Sequence, residues 1–333
     1  MEALLFLSLV NLSQVLKNNI LRLIVYVLFL LTFISCNDGE KLLNYKEVDT
    51  ATSDILYDIE IDNSAHITIA GGYVWSRGFM IETDQNLQNL EKDTISNKAL
   101  FYMLRTNGDQ FVTVGTDGYI FFRESRSRPW AFYRTSEWGI LHHIVKTKNG
   151  YLASGGKSYG TGYIHHLNAD FQIDTTLYFK HEISEVKAIK DEKLISVGWG
   201  NIQRSDDNGM TWRTLPNEGD FYASIIFTSA QHGIIIGYNG TLLESNDGGD
   251  TWQNSSADIS NNGFSSFRKL VQIENGPIFI TGNQGKLWKS DDKGTTWQYY
   301  QLNTKSDIYD IARCPDGDYI AVGSNGFLAK FAF

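Results

Sequence analysis

The sequence predicts an all-β fold, a single seven-bladed β-propeller of four-stranded blades. The composition combines 30 glycines with 13% aromatic residues, and beyond residue 40 no segment keeps the 3.6-residue apolar period of a helix. A glycine closes an apolar, strand-like segment seven times, at intervals of 39 to 45 residues. Units of this length with several short strands are typical of propeller blades. The seven glycines are Gly71, Gly115, Gly155, Gly198, Gly237, Gly282 and Gly323.

Each unit contains sequence for four strands. The sixth reads SFRKLVQIENG, PIFITG, GKLWKS and TWQYYQL. Its second strand is almost wholly apolar, as expected for a strand covered on both faces by neighbouring blades. The seventh unit reaches Phe333 after only three strands. We therefore expect residues of about 42–50 to supply the missing outer strand, which would pair the two ends of the chain, close the ring and remove an exposed sheet edge.

The N-terminal segment has the pattern of an export signal. Residues 23–35 form an apolar run of 13 that follows Lys17 and Arg22 and stops at Cys36. Such a run is too short to span a bilayer comfortably and has the length of a signal-peptide core. Three alternatives follow: cleavage just before Cys36, an ordinary signal cleaved elsewhere, or an uncleaved N-terminal anchor.

The end of this run resembles a bacterial lipoprotein signal, and Asp-Gly-Glu at 38–40 resembles the surface-export signal of Bacteroidota lipoproteins. The resemblance implies a leader over 1–36 that is removed as the Cys36 thiol is acylated, a tether over 37–44 and the propeller over 45–333. A lipidated N-terminus anchors a protein without a spanning helix. The resemblance therefore places the chain at the outer membrane or cell surface.

Charge, cysteine content and histidine placement argue against several kinds of function. The formal net charge of −9 disfavours a nucleic-acid binder, which needs a basic face. Cys314 lies outside the leader and is expected to be a buried free thiol. The pairs His142–His143 and His165–His166 stand on predicted strands, where adjacent side chains point to opposite faces, so neither pair chelates an ion alone. We expect a monomer without a metal or cofactor.

One phrase of eight residues, Ser-x-Asp-x-Gly-x-Thr-Trp, occurs at 205–212, 245–252 and 290–297. In a tight turn the aspartate can accept backbone N–H groups and the glycine can take a positive φ. The threonine offers a hydroxyl, and the tryptophan can bury its ring against adjoining strands. We expect these turns between the third and fourth strands of blades four to six. Their structural residues are Ser205, Asp207, Gly209, Thr211, Trp212, Ser245, Asp247, Gly249, Thr251, Trp252, Ser290, Asp292, Gly294, Thr296 and Trp297.

The phrase resembles the Asp-box, or bacterial neuraminidase repeat, of sialidases, some other glycoside hydrolases, sortilin-type receptors and photosystem II assembly factors. It is interpreted as scaffolding on the outer rim of the propeller, because each copy has too few carboxylates for a calcium loop. Blade two has RESRSRPW at 123–130 in the corresponding place. This stretch is interpreted as a solvated basic turn or, alternatively, as a contact for an anionic partner.

Candidate binding residues lie in the turns between second and third strands and in the connections between blades, which share one face of a propeller. We call this face the loop face. Aromatic side chains with a few charges suit a surface for a protein or a glycan, although ordinary exposed loop aromatics give the same pattern. The long loop 255–264 is expected beside them. The candidates are Trp75, Arg77, Trp138, Lys157, Tyr159, Trp199, Tyr222 and Tyr238.

Two functions from different classes fit this sequence. The first is a non-catalytic binding or assembly module for a protein or glycan partner, which meets the membrane only through its lipid anchor. The second is a glycoside hydrolase, of sialidase type or related. The sequence lacks the Phe/Tyr-Arg-Ile-Pro motif of sialidases, but other glycosidases need only two carboxylates roughly 5 to 9.5 Å apart. Asp117, Glu137, Glu218 and Asp220 are the candidates for that pair. We expect the binding module.

Overall fold

The computed structural model describes residues 41–106, 110–190, 192–217, 219–255, 259, 266–274 and 276–333. Over these ranges it confirms the all-β, seven-bladed propeller with four-stranded antiparallel blades. Four earlier assignments lie outside the described residues: the leader 1–36, Cys36, Glu218 and most of the loop 255–264. No helix in the described ranges is both long and apolar enough to cross a membrane.

The strands of each blade run in chain order from the channel to the rim. Blades one to three consist of β3 (Ile55–Ile61), β4 (His66–Tyr73), β5 (Arg77–Asp84) and β6 (Glu91–Ser96); β7 (Leu100–Arg105), β8 (Phe111–Gly115), β9 (Tyr119–Arg123) and β10 (Ala131–Arg134); and β11 (Ile140–Thr147), β12 (Gly150–Lys157), β13 (Thr161–Leu167) and β14 (Ile173–Phe179).

Blades four to seven repeat the arrangement. They consist of β15 (Ile183–Ala188), β16 (Leu194–Gly198), β17 (Asn201–Ser205) and β18 (Arg213–Leu215); β19 (Tyr222–Phe227), β20 (Gly233–Gly237), β21 (Leu242–Ser245) and β22 (Gln253–Asn254); β23 (Phe267–Gln272), β24 (Ile278–Gly282), β25 (Lys286–Ser290) and β26 (Gln298–Leu302); and β27 (Ile308–Arg313), β28 (Tyr319–Gly323) and β29 (Leu328–Phe331). The second strands β8, β16, β20, β24 and β28 are buried along their whole length.

The ring closes as expected, by pairing of the two ends of the described chain. Strand β2 (Tyr45–Glu47) is the outer strand of blade seven and pairs antiparallel with β29, with Tyr45 opposite Phe331. Phe331 is 3% exposed and packs in the core shared by blades six and seven. A second short strand, β1 (Lys41–Leu43), lies within the segment assigned to the tether and adds a fifth strand to blade six.

Each inner strand contains a β-bulge at the same place. In β3, for example, Leu56 lies opposite Gly71 and Asp58 opposite Ala70, so Tyr57 is the extra residue. A bulge re-aims side chains locally, and the seven extra residues all line one cavity in the channel. We call them the bulge ring: Tyr57, Phe101, His142, Ser184, Ala223, Arg268 and Tyr309.

The residues that follow the bulge ring link neighbouring blades. Asp58 accepts the backbone N–H of Met103 in blade two at 2.7 Å, and Asp310 accepts that of Ile59 in blade one at 3.2 Å. Lys269 of blade six places its Nζ 2.5 Å from Asp58 and 2.7 Å from Asp310. Burial raises the pKa of Asp58 well above its usual range, against the opposing effect of Lys269. This buried ion triad joins blades six, seven and one.

The repeated eight-residue phrases form three superimposable turns between third and fourth strands. In the first, Asp207 accepts the Thr211 N–H at 2.9 Å and the Thr211 hydroxyl at 2.6 Å, and the Ser205 hydroxyl accepts the Gly209 N–H at 2.8 Å. Burial alone would raise the pKa of the aspartate, but these hydrogen bonds hold it below its usual value. The other two turns repeat these contacts.

The turn glycines also dock each turn on the preceding blade. They have φ values of 87°, 82° and 95°, as expected. A Cβ at Gly209 would lie 2.8 Å from Leu152 of blade three, and one at Gly249 would lie 3.0 Å from Ile195 of blade four. At Gly294 the neighbour would be Ile234 of blade five. Each turn therefore joins its blade to the one before it.

The arginine-rich stretch at 123–130 also joins its blade to the one before it, in this case through ion pairs. Arg126 forms an ion pair with Asp62 of blade one, and Arg123, which is 6% exposed, forms one with Glu82 of the same blade. Burial opposes ionisation of Asp62, but bonds from Ser64 and Arg126 lower the pKa of its carboxyl strongly. These contacts fit neither alternative fully: Arg123 is buried and not solvated, and Arg123 and Arg126 already have anionic partners within the chain.

Candidate functional site

The loop face holds a cavity of about 1050 Å³ above the channel. Its walls come mainly from blades three to five, with Trp75 from blade one and Arg268 from blade six. We call this cavity the vestibule. Six of the eight candidate binding residues line it: Trp75, Trp138, Lys157, Tyr159, Trp199 and Tyr238.

Aromatic rings form a continuous row along one wall of the vestibule. Tyr159 lies 4.7 Å from Trp199 between ring centroids, Trp199 lies 5.3 Å from Phe221, and Phe221 lies 4.8 Å from Tyr238. Trp138, which also lines the cavity, is 65% exposed. Soluble proteins seldom expose so many large rings together unless the surface binds something.

A strained turn in blade three carries Tyr159 into this row. Ser158 and Tyr159 have φ values of 53° and 62°, which are unfavourable for residues other than glycine. Glu182 holds the turn in place, because its carboxylate accepts the Tyr159 N–H at 3.0 Å and lies 2.5 Å from His142 Nε2. Burial raises the pKa of Glu182, but the contacts with His142 and Tyr159 outweigh it, and the net pKa is lowered. The carboxylate therefore stays charged and keeps its hold on the turn.

The other two candidate binding residues are placed differently. Tyr222 was expected on an inter-blade loop, and this was wrong: it is the first residue of β19 and only 1% exposed. The bulge at Ala223 aims that small side chain at the channel and leaves Tyr222 in the core. Arg77 is on the loop face but forms an ion pair with Asp54, at 2.8 Å for one of its two contacts, and does not line the vestibule.

Of the candidate catalytic carboxylates that the structure describes, Asp117 and Glu137 do not line the vestibule, whereas Asp220 does. Asp117 forms an ion pair with Arg134 at 2.6 Å, and Glu137 accepts the hydroxyl of Tyr178 at 2.7 Å. Asp220 lines the vestibule but accepts hydrogen bonds from four turn groups, including the side chain of Asn239 at 2.6 Å. Of these three carboxylates, only Asp220 faces the vestibule, and its hydrogen bonds shape the blade-five turn.

Four residues of the vestibule were missed by the sequence reasoning: His142, Glu182, Phe221 and Arg268. Arg268 stacks at 5.3 Å on both Tyr238 and Tyr309, and its guanidinium pairs with Asp307 at 2.6 Å. It occupies the same position in its blade as His142 does in blade three. An alignment of the seven inner strands from their first residues would have identified both His142 and Arg268. Across the described part of the chain, no three His, Cys, Asp or Glu side chains are grouped to hold a metal ion.

Comparison with known proteins indicates similarity to one kind of propeller. The family model described as photosynthesis system II assembly factor YCF48 matches residues 210–307. The photosystem II assembly lipoprotein Ycf48 of Trichormus variabilis is 35% identical over 60 residues, 18% of this chain and 18% of that protein. The matched segment thus spans less than a fifth of this relative.

Solved structures match over nearly the whole propeller. YCF48 from Cyanidioschyzon merolae gives a TM-score of 0.63 at 18% identity and covers 86% of this chain and 98% of its own. YCF48 bound to D1 peptide gives 0.65 at 17% identity, covering 89% and 100%. The WD40 propeller domain of Doa1 gives 0.65 at 12% identity, covering 87% and 96%. At these identities the likeness shows the propeller fold.

Proposed function

We propose that this chain is a non-catalytic binding or assembly module that captures a protein partner in the vestibule. The observation that carries the proposal is the row Tyr159–Trp199–Phe221–Tyr238, which lines a cavity of about 1050 Å³ together with the exposed ring of Trp138. Tryptophan, tyrosine and arginine dominate the binding energy of protein interfaces.

Two further facts support a polypeptide partner. The vestibule surrounds its rings with polar groups that can pair with a peptide backbone, among them Lys157 and Asn239. The similar proteins are assembly factors by name, and one similar structure is YCF48 bound to D1 peptide. A propeller of this architecture can therefore hold a peptide, and the vestibule is where this chain offers the matching chemistry.

The test is capture of partners from the membranes of the native host, with cross-linking and mass spectrometry. Trp199→Ala and Trp138→Ala should each weaken capture of the same partner at least about tenfold, the usual size of a hot-spot loss. Met210→Ala is the matched control, because Met210 is 57% exposed on an outer-rim turn far along the blade from the loop face. Retention of every partner by both tryptophan variants would rule out the vestibule.

A glycan is the second candidate ligand, since the exposed rings of Trp75 and Trp138 offer flat faces on which sugars stack. A glycan array with the same two variants distinguishes it from a protein. Hydrolysis is not favoured by the arrangement of Asp117, Glu137 and Asp220, each of which is engaged by its own partner. Turnover in a panel of fluorogenic glycosides would contradict the non-catalytic assignment.

We further propose that the propeller is held at the outer membrane or cell surface by acylation of Cys36. The leader pattern before this cysteine supports the proposal, and the curated relative is itself named a lipoprotein. Cys36→Ser should release the protein from the membrane fraction and change its electrophoretic mobility. Unchanged membrane association with unchanged mobility would argue against acylation.

A further inference from the structure

A second, smaller cavity of about 350 Å³ lies directly below the vestibule, and all seven members of the bulge ring line it. We call it the deep pocket. It shares five lining residues with the vestibule, so the two spaces are continuous: Ile140, His142, Phe221, Tyr238 and Arg268. Its volume is at the lower end for a small-molecule site and suits a single large side chain.

The walls of the deep pocket are aromatic on one side and small on the other. Tyr57 packs edge-to-face against Phe101 at 4.6 Å and against Tyr309 at 5.2 Å. Blades four and five contribute only Ser184 and Ala223 at the same ring position. The bulge ring is therefore open on the side that faces the vestibule, and a side chain held in the vestibule can enter there.

Three buried polar atoms of the deep-pocket lining have no hydrogen-bond partner among the described residues. They are Ser184 Oγ, His143 Nδ1 and Arg268 Nε. Buried polar groups in native proteins are normally paired, and each unpaired one destabilises the structure. Grouped at one aromatic-walled pocket that opens to a vestibule, they indicate that the pocket receives a ligand with its own hydrogen-bonding group.

The charges around the pocket favour a neutral group. Arg268 is already paired with Asp307 at 2.6 Å, so little of its charge is left for an anion. The lining also includes Glu185, whose side chain is 12% exposed and which would repel a carboxylate. A cation would meet Lys269 as well as Arg268. A hydroxyl can donate and accept at once, and therefore suits the unpaired serine, histidine and arginine atoms.

We propose that the deep pocket binds one tyrosine side chain of the protein partner. The ring packs among Tyr57, Phe101 and Tyr309, and the phenolic hydroxyl pairs with the unpartnered atoms of Ser184 and His143. This inference rests on the proposed function, because it names the side chain by which a partner in the vestibule is selected. It adds a specificity determinant that the open vestibule alone does not supply.

The test uses 4-methylphenol, the side-chain analogue of tyrosine, and toluene, the analogue of phenylalanine, with ligand-observed NMR on the full propeller. We expect 4-methylphenol to bind with a Kd of about 1 mM, typical of a ligand of this size, and toluene to bind at least about tenfold more weakly. Ser184→Ala should reduce the difference in affinity between the two ligands, because the phenolic hydroxyl then loses one of its two partners.

Ala223→Phe blocks the pocket without touching the vestibule wall. Aromatic residues occupy the equivalent position in blades one, two and seven, so the backbone accommodates one there. This variant should abolish 4-methylphenol binding and weaken partner capture at least about tenfold. Trp138→Ala should weaken capture and leave 4-methylphenol binding unchanged. Should Ala223→Phe fail to fold, Ser184→Ala still tests the pocket with both ligands.

The outcomes separate this inference from the proposed function. Failure of wild-type protein to bind 4-methylphenol, or equal binding of toluene, overturns the tyrosine pocket whatever the vestibule does. A normal level of partner capture by a folded Ala223→Phe protein also overturns it and leaves the vestibule intact. Capture that is insensitive to Trp138→Ala and Trp199→Ala overturns the proposed function instead. Tighter binding of methyl glucoside than of 4-methylphenol would assign the pocket to a sugar and overturn the inference.

Discussion

Replacing Lys269 with methionine should destabilise the propeller in a pH-dependent way. Lys269 is the cation between Asp58 and Asp310, whose side chains are 3% and 4% exposed. The backbone N–H groups of Met103 and Ile59 also bind these carboxylates, so neither can turn to water. Methionine keeps an unbranched apolar side chain, one atom shorter, and removes the charge with its N–H donors, which leaves two like charges buried together.

The size of the effect follows from this burial. Removing one partner of a buried ion pair costs about 3–5 kcal/mol. The lower end applies here, because Lys269 is 24% exposed to the channel and water there can partly replace it. Unfolding entropies of about 2 cal/mol/K per residue over roughly 290 residues convert about 3 kcal/mol into a Tm loss of about 5 °C.

The sign of the pH dependence is fixed by Asp58. Burial already raises the pKa of this carboxyl well above its unfolded value, and Lys269 opposes the rise. Without the lysine the folded-state pKa climbs further. A carboxyl with a raised folded pKa destabilises the protein above that pKa, and the penalty fades as the pH falls through it. The Tm deficit of Lys269→Met should therefore be larger at about pH 8 than at about pH 5.5.

Thermal unfolding followed by circular dichroism measures both the Tm loss of the variant and its change with pH. Adding Asp310→Asn to Lys269→Met should recover at least half of the lost stability at about pH 8, since it removes one of the repelling charges. Lys148→Met is the control, because its partner Glu192 is 41% exposed and surface pairs contribute about 1 kcal/mol or less. An equal Tm deficit at both pH values, or no recovery in the double variant, would refute the ion triad as a link between blades.

Three further predictions concern the closure strand, the repeated turns and the strained turn of the vestibule. Phe331→Ala should cost about 3–5 kcal/mol in thermal unfolding, because Phe331 is 3% exposed at the closure pair; a loss no larger than that of Phe132→Ala, at a ring 62% exposed, would contradict this closure. Hydrogen bonds within the turn, acting against burial, lower the pKa of Asp247 to about 2. Its stabilising effect should thus be present above its unfolded pKa and disappear as the pH falls to about 2, so the Tm difference between wild type and Asp247→Asn should vanish in acid, and a constant difference would argue against the pKa shift. Glu182→Leu should speed amide exchange at Tyr159 at least about tenfold, since leucine has no acceptor for the N–H that the carboxylate binds at 3.0 Å; unchanged exchange would show that the carboxylate does not hold the turn.

Much of the fold could be predicted because the same sequence pattern repeats in each blade. The glycines count seven blades directly, and the shortfall of one strand predicts that residues of about 42–50 supply it, as Tyr45–Glu47 do. The hydrogen bonds of the turns follow from local chemistry, because Asp207 and Thr211 are only four residues apart. Such features need no knowledge of the rest of the chain.

Only part of the candidate site could be predicted, because its geometry depends on parts of the chain that are far apart in the sequence. A shift of one residue moves a strand side chain to the other face, and the bulge at Ala223 makes such a shift, which is why Tyr222 is buried while Phe221 lines the vestibule. The ion triad joins Lys269 to Asp58 across 211 residues, and only closure of the ring brings them together. The bulge-ring residues occupy the same position in every blade, but no single residue type is common to them. The amino-acid sequence therefore shows no repeat at this position.

The repeated turns and the vestibule occupy the same sector of the ring, at opposite ends of the strands. The turns of blades four, five and six dock through Gly209, Gly249 and Gly294 on blades three, four and five, and most of the vestibule wall comes from blades three to five. Joining each of these blades to its neighbour limits the motion of Tyr159 and Trp199 relative to one another. A site ordered before binding loses less entropy when a partner arrives. Under the proposed function, the turns would thus contribute to binding without contacting the partner, by holding in register the blades that carry the aromatic row.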